Sequence, residues 1–94
     1  MTILFAPEAE DDFRAAISYL RERNPDAAAA LGERVFAVID QLVAGDFEGP
    51  ETVLTTGERV RSFAVPPLRI YYQRHRDALW IVRIYDQRRH PIER

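Results

Sequence analysis

Ninety-four residues, 47% of them apolar and 30% charged, are enough for one folded domain spanning 1–94 and too few for two. The chain has no cysteine, which excludes disulfides, thiolate zinc sites and a cysteine nucleophile, and no apolar run approaches the ~18 residues that cross a bilayer. The net charge of −2 hides a split: residues 1–50 carry four arginines against ten acids and residues 51–94 carry nine against five, with no lysine anywhere. The first residues place no basic side chain ahead of their apolar run, so the expected compartment is the cytoplasm, with no membrane partner.

Residues 2–6 are short and apolar and stop at Pro7, which predicts a strand. From Glu8 onward Ala9, Phe13, Ala16, Ile17 and Leu20 form one stripe of a 3.6-residue period, predicting a first helix that ends near Arg23. Glu8, Glu10, Asp11 and Asp12 crowd its first turn, where acids complement the positive end of the helix dipole. Asn24-Pro25 predicts a cap and first position for a second helix. Ala28, Leu31, Val35, Ile39 and Leu42 carry its stripe, and Gly45 stops it. Two helices joined this tightly form an antiparallel hairpin.

Residues 46–56 have no period and read as a surface loop. Residues 59–65, 68–74 and 79–85 are rich in β-branched and aromatic side chains, and the breaks at Pro66-Pro67 and His75-Arg76-Asp77 predict an antiparallel three-stranded meander. Alternation and polarity put Ile70, Tyr72, Val82 and Ile84 on one face, against which the helical hairpin packs. Arg69, Tyr71, Gln73, Arg83 and Tyr85 fall on the other. The expected fold is therefore α+β: an N-terminal strand and a helical hairpin on one face of a mainly antiparallel sheet.

The strongest chemical feature is the set Arg59, Arg61, Arg69, Tyr71, Arg83, Tyr85, Arg88 and Arg89 on neighbouring strands. Three readings suit it: cations and aromatics that hold phosphates and stack bases, a solvated sheet face, or a seat for an acidic partner segment. His75 and His90 have no acidic partner at a metal-ligand spacing, so neither metal nor cofactor is expected. His75 belongs to a turn, and His90 is either a proton-handling group or a solvated tail histidine. Asp86 is expected to pair with Arg83, Arg88 or Arg89 at a strand end. Glycine-rich phosphate loops, a nucleophile elbow and zinc-helix motifs do not occur.

In chain order, several segments together resemble the RelE/ParE superfamily of small toxins from type II toxin-antitoxin modules. They are Phe5-Ala6-Pro7-Glu8-Ala9, Asn24-Pro25-Asp26-Ala27-Ala28, Gly57-Glu58-Arg59-Val60-Arg61, Leu68-Arg69-Ile70-Tyr71-Tyr72 and the run from Ile81 through Asp86-Gln87-Arg88-Arg89-His90-Pro91. The resemblance implies one of two activities. One branch cleaves mRNA in the ribosome; carried over by position, Arg59, Arg61, Arg69 and Arg83 would clamp the phosphate, with Tyr85 or His90 moving protons. The other branch, ParE, poisons DNA gyrase by protein binding, and Arg69, Arg83, Arg88 and Arg89 would contact the target. The missing lysine, the tail Ile92-Glu93-Arg94 without a terminal tyrosine, and Asp86 where many relatives carry histidine depart from the nuclease branch, and the Asn24-Pro25-Asp26-Ala27-Ala28 opening and the Arg88-Arg89 ending resemble the ParE branch more.

Both branches imply a cognate antitoxin, expected on Phe13, Ile17, Leu20, Leu31, Val35 and Tyr71, and promoter DNA bound only through that antitoxin. A member that binds its antitoxin without being toxic is the third alternative.

Overall fold

The computed structural model describes residues 1–88. The chain runs β1 (Thr2–Phe5), α1 (Pro7–Arg23), α2 (Pro25–Ala44), β2 (Glu51–Val53), β3 (Arg59–Val65), β4 (Leu68–His75) and β5 (Ala78–Asp86). The strands form one sheet in the order β1-β5-β4-β3-β2. β1 lies parallel to β5 and the other pairings are antiparallel. The predicted hairpin and meander are both present. β2 lies where a structureless loop was expected, pairing Glu51, Thr52 and Val53 with Arg61, Val60 and Arg59.

Local chemistry sets the helix ends. Pro7 opens α1. The Asn24 side chain accepts a hydrogen bond from the Ala27 N–H at 3.1 Å, and Pro25 takes the first position of α2, where its missing N–H costs nothing. Gly45 closes α2 at φ 81°, a left-handed conformation that a Cβ disfavours. Every residue of the α2 stripe, Ala28, Leu31, Val35, Ile39 and Leu42, is buried. Leu31, Val35, Ile39 and Leu42 meet Val65, Leu68, Ile70, Tyr72, Leu79, Ile81 and Ile84 in the main core.

The face assignment needs one correction. The register of β4 against β5 slips between Tyr71 and Tyr72: Tyr72 pairs with Ile81 and Tyr71 with Arg83, which leaves Val82 as the extra residue of a bulge. A bulge reverses the alternation of the strand that carries it. Ile81 therefore joins Ile70, Tyr72 and Ile84 under the helices, and Val82 turns to the reverse side. There it packs with Leu54, Val60 and Tyr71 in a second, smaller apolar cluster, bordered by Trp80 and Tyr85. The reverse side, expected to be polar and open, is thus partly sealed.

Candidate functional site

The expected arginine face divides into two. On the reverse side, Arg69 pairs with Tyr85 and Tyr71 with Arg83 across β4 and β5, so these four share a face. Arg61, in contrast, pairs with Tyr72, a main-core residue, which places Arg61 and Arg59 on the helix side of the sheet. The four arginines expected to clamp one phosphate are not assembled around one point.

Each of these arginines is also engaged. Arg59 lies 3.9 Å from Glu51 at the surface. Arg61 donates to the Gly49 carbonyl at 2.8 Å. Arg69 donates to Ser62 Oγ at 3.0 Å, while its Nε is buried with no hydrogen-bond partner among the described residues. Arg83 makes a bidentate pair with Asp12 of α1, Nε to Oδ2 at 2.8 Å and Nη2 to Oδ1 at 2.9 Å. The same Oδ2 accepts the Ile84 N–H at 3.0 Å. The pairing of β1 with β5 ends at Ile81, so Asp12 takes up a backbone donor that β1 does not reach. The Asp12 hydrogen bond is the main cause that raises the pKa of Arg83, against the opposing effect of burial. The guanidinium lies 4.7 Å from the centre of the Tyr85 ring, which in turn meets the Tyr71 ring edge-on at 5.3 Å.

Asp86 pairs with Arg88, as expected, through Nη2 at 3.1 Å and Nε at 3.2 Å, and Arg83 takes Asp12 instead. This pairing holds the pKa of Arg88 above its ordinary value. Arg89 and His90 lie outside the described residues. His75 sits at the end of β4 next to the turn, and its Nε2 lies 2.8 Å from Gln73 Oε1.

A polar hub that the sequence reading missed closes the end of the sheet under residues 46–50. The Tyr72 hydroxyl accepts the Gly49 N–H at 2.8 Å and donates to Glu48 Oε1 at 2.9 Å. Arg74 donates to Glu48 Oε2 at 2.8 Å and to the Leu42 carbonyl at the end of α2 at 2.7 Å. Arg74 holds the Glu48 carboxyl below its usual pKa, and burial pushes the Tyr72 hydroxyl above its own. Gly49 is required here because a Cβ would run into the Ser62 carbonyl.

On the outer side of the helical hairpin, Phe13 and Phe36 meet edge-on at 5.7 Å. With Phe5 and Ile17 they line a groove of about 580 Å³, rimmed by Glu10, Arg14, Ser18 and Arg21. Phe36 is 50% exposed, and a second groove continues from it across α2 past Ala29, Gly32 and Ala37. Of the residues expected to meet an antitoxin, Phe13 and Ile17 line this surface. Leu20 packs partly against the core. Leu31, Val35 and Tyr71 are 2%, 0% and 2% exposed and offer a partner nothing to touch. The stripe that marks the first two in the sequence is the stripe the sheet covers. Phe36 lies off that stripe and is exposed on this surface.

A model of the ParE toxin of the type II toxin-antitoxin system parDE matches residues 3–91. The chain belongs to the ParE toxin family. It is a toxin-type member of the wider ParE/RelE superfamily. Over 65 residues it is 35% identical to Toxin RelE1 of Caulobacter vibrioides, a match that covers 69% of this chain and 66% of that relative. Its fold is similar to a chain of the chromosomal ParDE system from P. aeruginosa, with a TM-score of 0.72 at 18% identity over 92% of this chain and 95% of that one. The strand, helical hairpin and five-stranded sheet are therefore the ParE-like fold. No helix among the described residues is long and apolar enough to cross a membrane.

Proposed function

We propose that this ParE family member, acting as one domain over 1–94, binds and inhibits DNA gyrase without covalent chemistry, and that a cognate antitoxin neutralises it. The observation that carries this reading is the engagement of the cations. Cleaving a phosphodiester needs positive charge free to meet the developing phosphorane, together with a general acid and base. Arg61 is tied to a backbone carbonyl on the wrong face, Arg69 to Ser62, and Arg83 to Asp12. Protein binding makes no such demand, and a half-exposed arginine such as Arg88 can serve it while still paired with Asp86.

In this reading the antitoxin docks on the outer groove of the hairpin, supported by the apolar lining that Phe13, Ile17 and Phe36 give it. An exposed apolar patch on a small domain is a site for a partner that orders as it binds. Promoter DNA is bound only through the antitoxin. Adding the purified chain to gyrase should reduce supercoiling, and adding the antitoxin should restore it. Unchanged supercoiling at saturating, folded protein rejects the reading.

A ribosome-dependent ribonuclease is the second reading, favoured by the gathering of Arg69, Arg83 and Tyr85 on one face. Its signature is codon-positioned cuts in translated mRNA, lost in Arg69→Ala.

A further inference from the structure

Asp12 does more than complement the helix dipole. Its carboxylate fills a cradle made of two guanidinium donors from Arg83 and the Ile84 N–H, all within 3.0 Å. Two parallel N–H donors plus a backbone N–H form a set that fits a phosphate as well as it fits a carboxylate. The Arg83 guanidinium of this cradle also lies 4.7 Å from the centre of the Tyr85 ring. Arg69 is the diagonal neighbour of Arg83 across β4 and β5. Its Nε is a buried donor with no partner among the described residues, and a buried donor of that kind is rare and costly. The guanidinium groups of Arg69 and Arg83 and the Tyr85 ring thus share the reverse face, and a single carboxylate from α1 takes up the donors of Arg83.

We propose that Asp12 is an internal substitute for a phosphate, and that it is the residue that closes this face to single-stranded nucleic acid. The inference rests on the non-nuclease reading above and concerns the one of its three engagements that a single carboxylate makes, that of Arg83. Asp12 acts through Arg83, as a residue that holds and neutralises it. Glu8 also bears on the Arg83 charge, but no described hydrogen bond links the two, so its removal is not expected to open the cradle.

The test uses the full chain and a fluorescein-labelled ten-nucleotide single-stranded RNA, followed by anisotropy over a series of salt concentrations. Asp12→Ala should bind about tenfold more tightly than the parent, with a salt slope steeper by about 0.7, the value for one added phosphate contact on a single strand. Asp11→Ala removes the same charge one residue away, from an exposed pair with Arg14 at 3.5 Å, and should change neither quantity. Adding Arg83→Gln to Asp12→Ala should return both to the parental values.

The inference is overturned if Asp12→Ala binds no better than the parent, if Asp11→Ala matches it, or if the gain survives Arg83→Gln. Asp12→Asn keeps the side-chain volume and one acceptor and serves as the second variant. If neither variant folds, the proposal also fails, because Asp12 would then be chiefly a structural anchor. Gyrase supercoiling is measured on the same preparations. A parent chain that leaves gyrase untouched sinks the proposed function but not the affinity ratio, and an unchanged ratio sinks this inference but not gyrase inhibition.

Discussion

Tyr72→Phe removes one oxygen from the fully buried side chain that joins β4 to residues 46–50, and its cost follows from the partners left behind. Tyr72 is 0% exposed, so the phenyl ring of the variant packs as before and no cavity of consequence opens. The Gly49 N–H, which donates to that oxygen at 2.8 Å, loses its partner in a buried place, at about 1–3 kcal/mol. Glu48 loses a donor at 2.9 Å, but its side chain is 45% exposed, so water replaces most of that bond. The expected loss is about 2 kcal/mol, dominated by the stranded amide rather than by the carboxylate. Urea unfolding of parent and variant should show a lower midpoint with an unchanged slope, and amide exchange should speed up at Gly49 and Arg61 first. A loss below about 0.5 kcal/mol, or exchange unchanged at Gly49, refutes the assignment of Tyr72 as the clasp of this end of the sheet.

Three further outcomes are expected. The lowered pKa of Glu48, caused first by its Arg74 hydrogen bond, adds stability that is present above the unfolded carboxyl value of about 4.5. That stability is lost as pH falls through the folded value. The stability gap between the parent and Glu48→Gln should therefore narrow as unfolding is measured from pH 6 downward, and a constant gap contradicts the pairing. Ile39→Ala, in the buried stripe of α2, should cost about 2–5 kcal/mol by thermal or urea unfolding, and a loss under 1 kcal/mol would place that stripe outside the core. Phe36→Asp should leave the fold stable and weaken antitoxin binding at least about 30-fold by calorimetry, as expected of an aromatic anchor. Unaltered affinity would move the antitoxin off the outer hairpin.

Much of this architecture is written in local pattern. The α2 stripe needs only its 3,4 spacing, and Asn24-Pro25 and Gly45 bound the helix by their own chemistry. β2 escaped because three residues leave no room for an alternation to show.

The division of the arginines was legible in principle. A two-residue loop at Pro66-Pro67 pairs Val65 with Leu68, which sets odd residues of β3 beside even residues of β4. Arg61 must then share a side with Tyr72 and not with Arg69. The turn at Arg76-Asp77 does the same for His75 and Ala78, and only the bulge at Val82 restores the pairing of Ile70 with Ile84. Polarity cannot reveal that bulge, because Ile81 and Val82 are both β-branched and both apolar. Asp12 was hidden for a different reason. Four acids at a helix start already have a sufficient local explanation, and its partner Arg83 lies 71 residues away in the chain. Glu48 and Tyr72, 24 apart, were concealed in the same way.

The most direct measurement is DNA supercoiling by purified gyrase titrated with the folded chain, run beside a ribosome-dependent mRNA cleavage assay on the same preparation. A dose-dependent fall in supercoiling, reversed by the antitoxin and with no codon-positioned cuts, is the expected result. Full supercoiling at saturating toxin, with cuts appearing in translated mRNA, would contradict it and return Arg69, Arg83 and Tyr85 to a catalytic role.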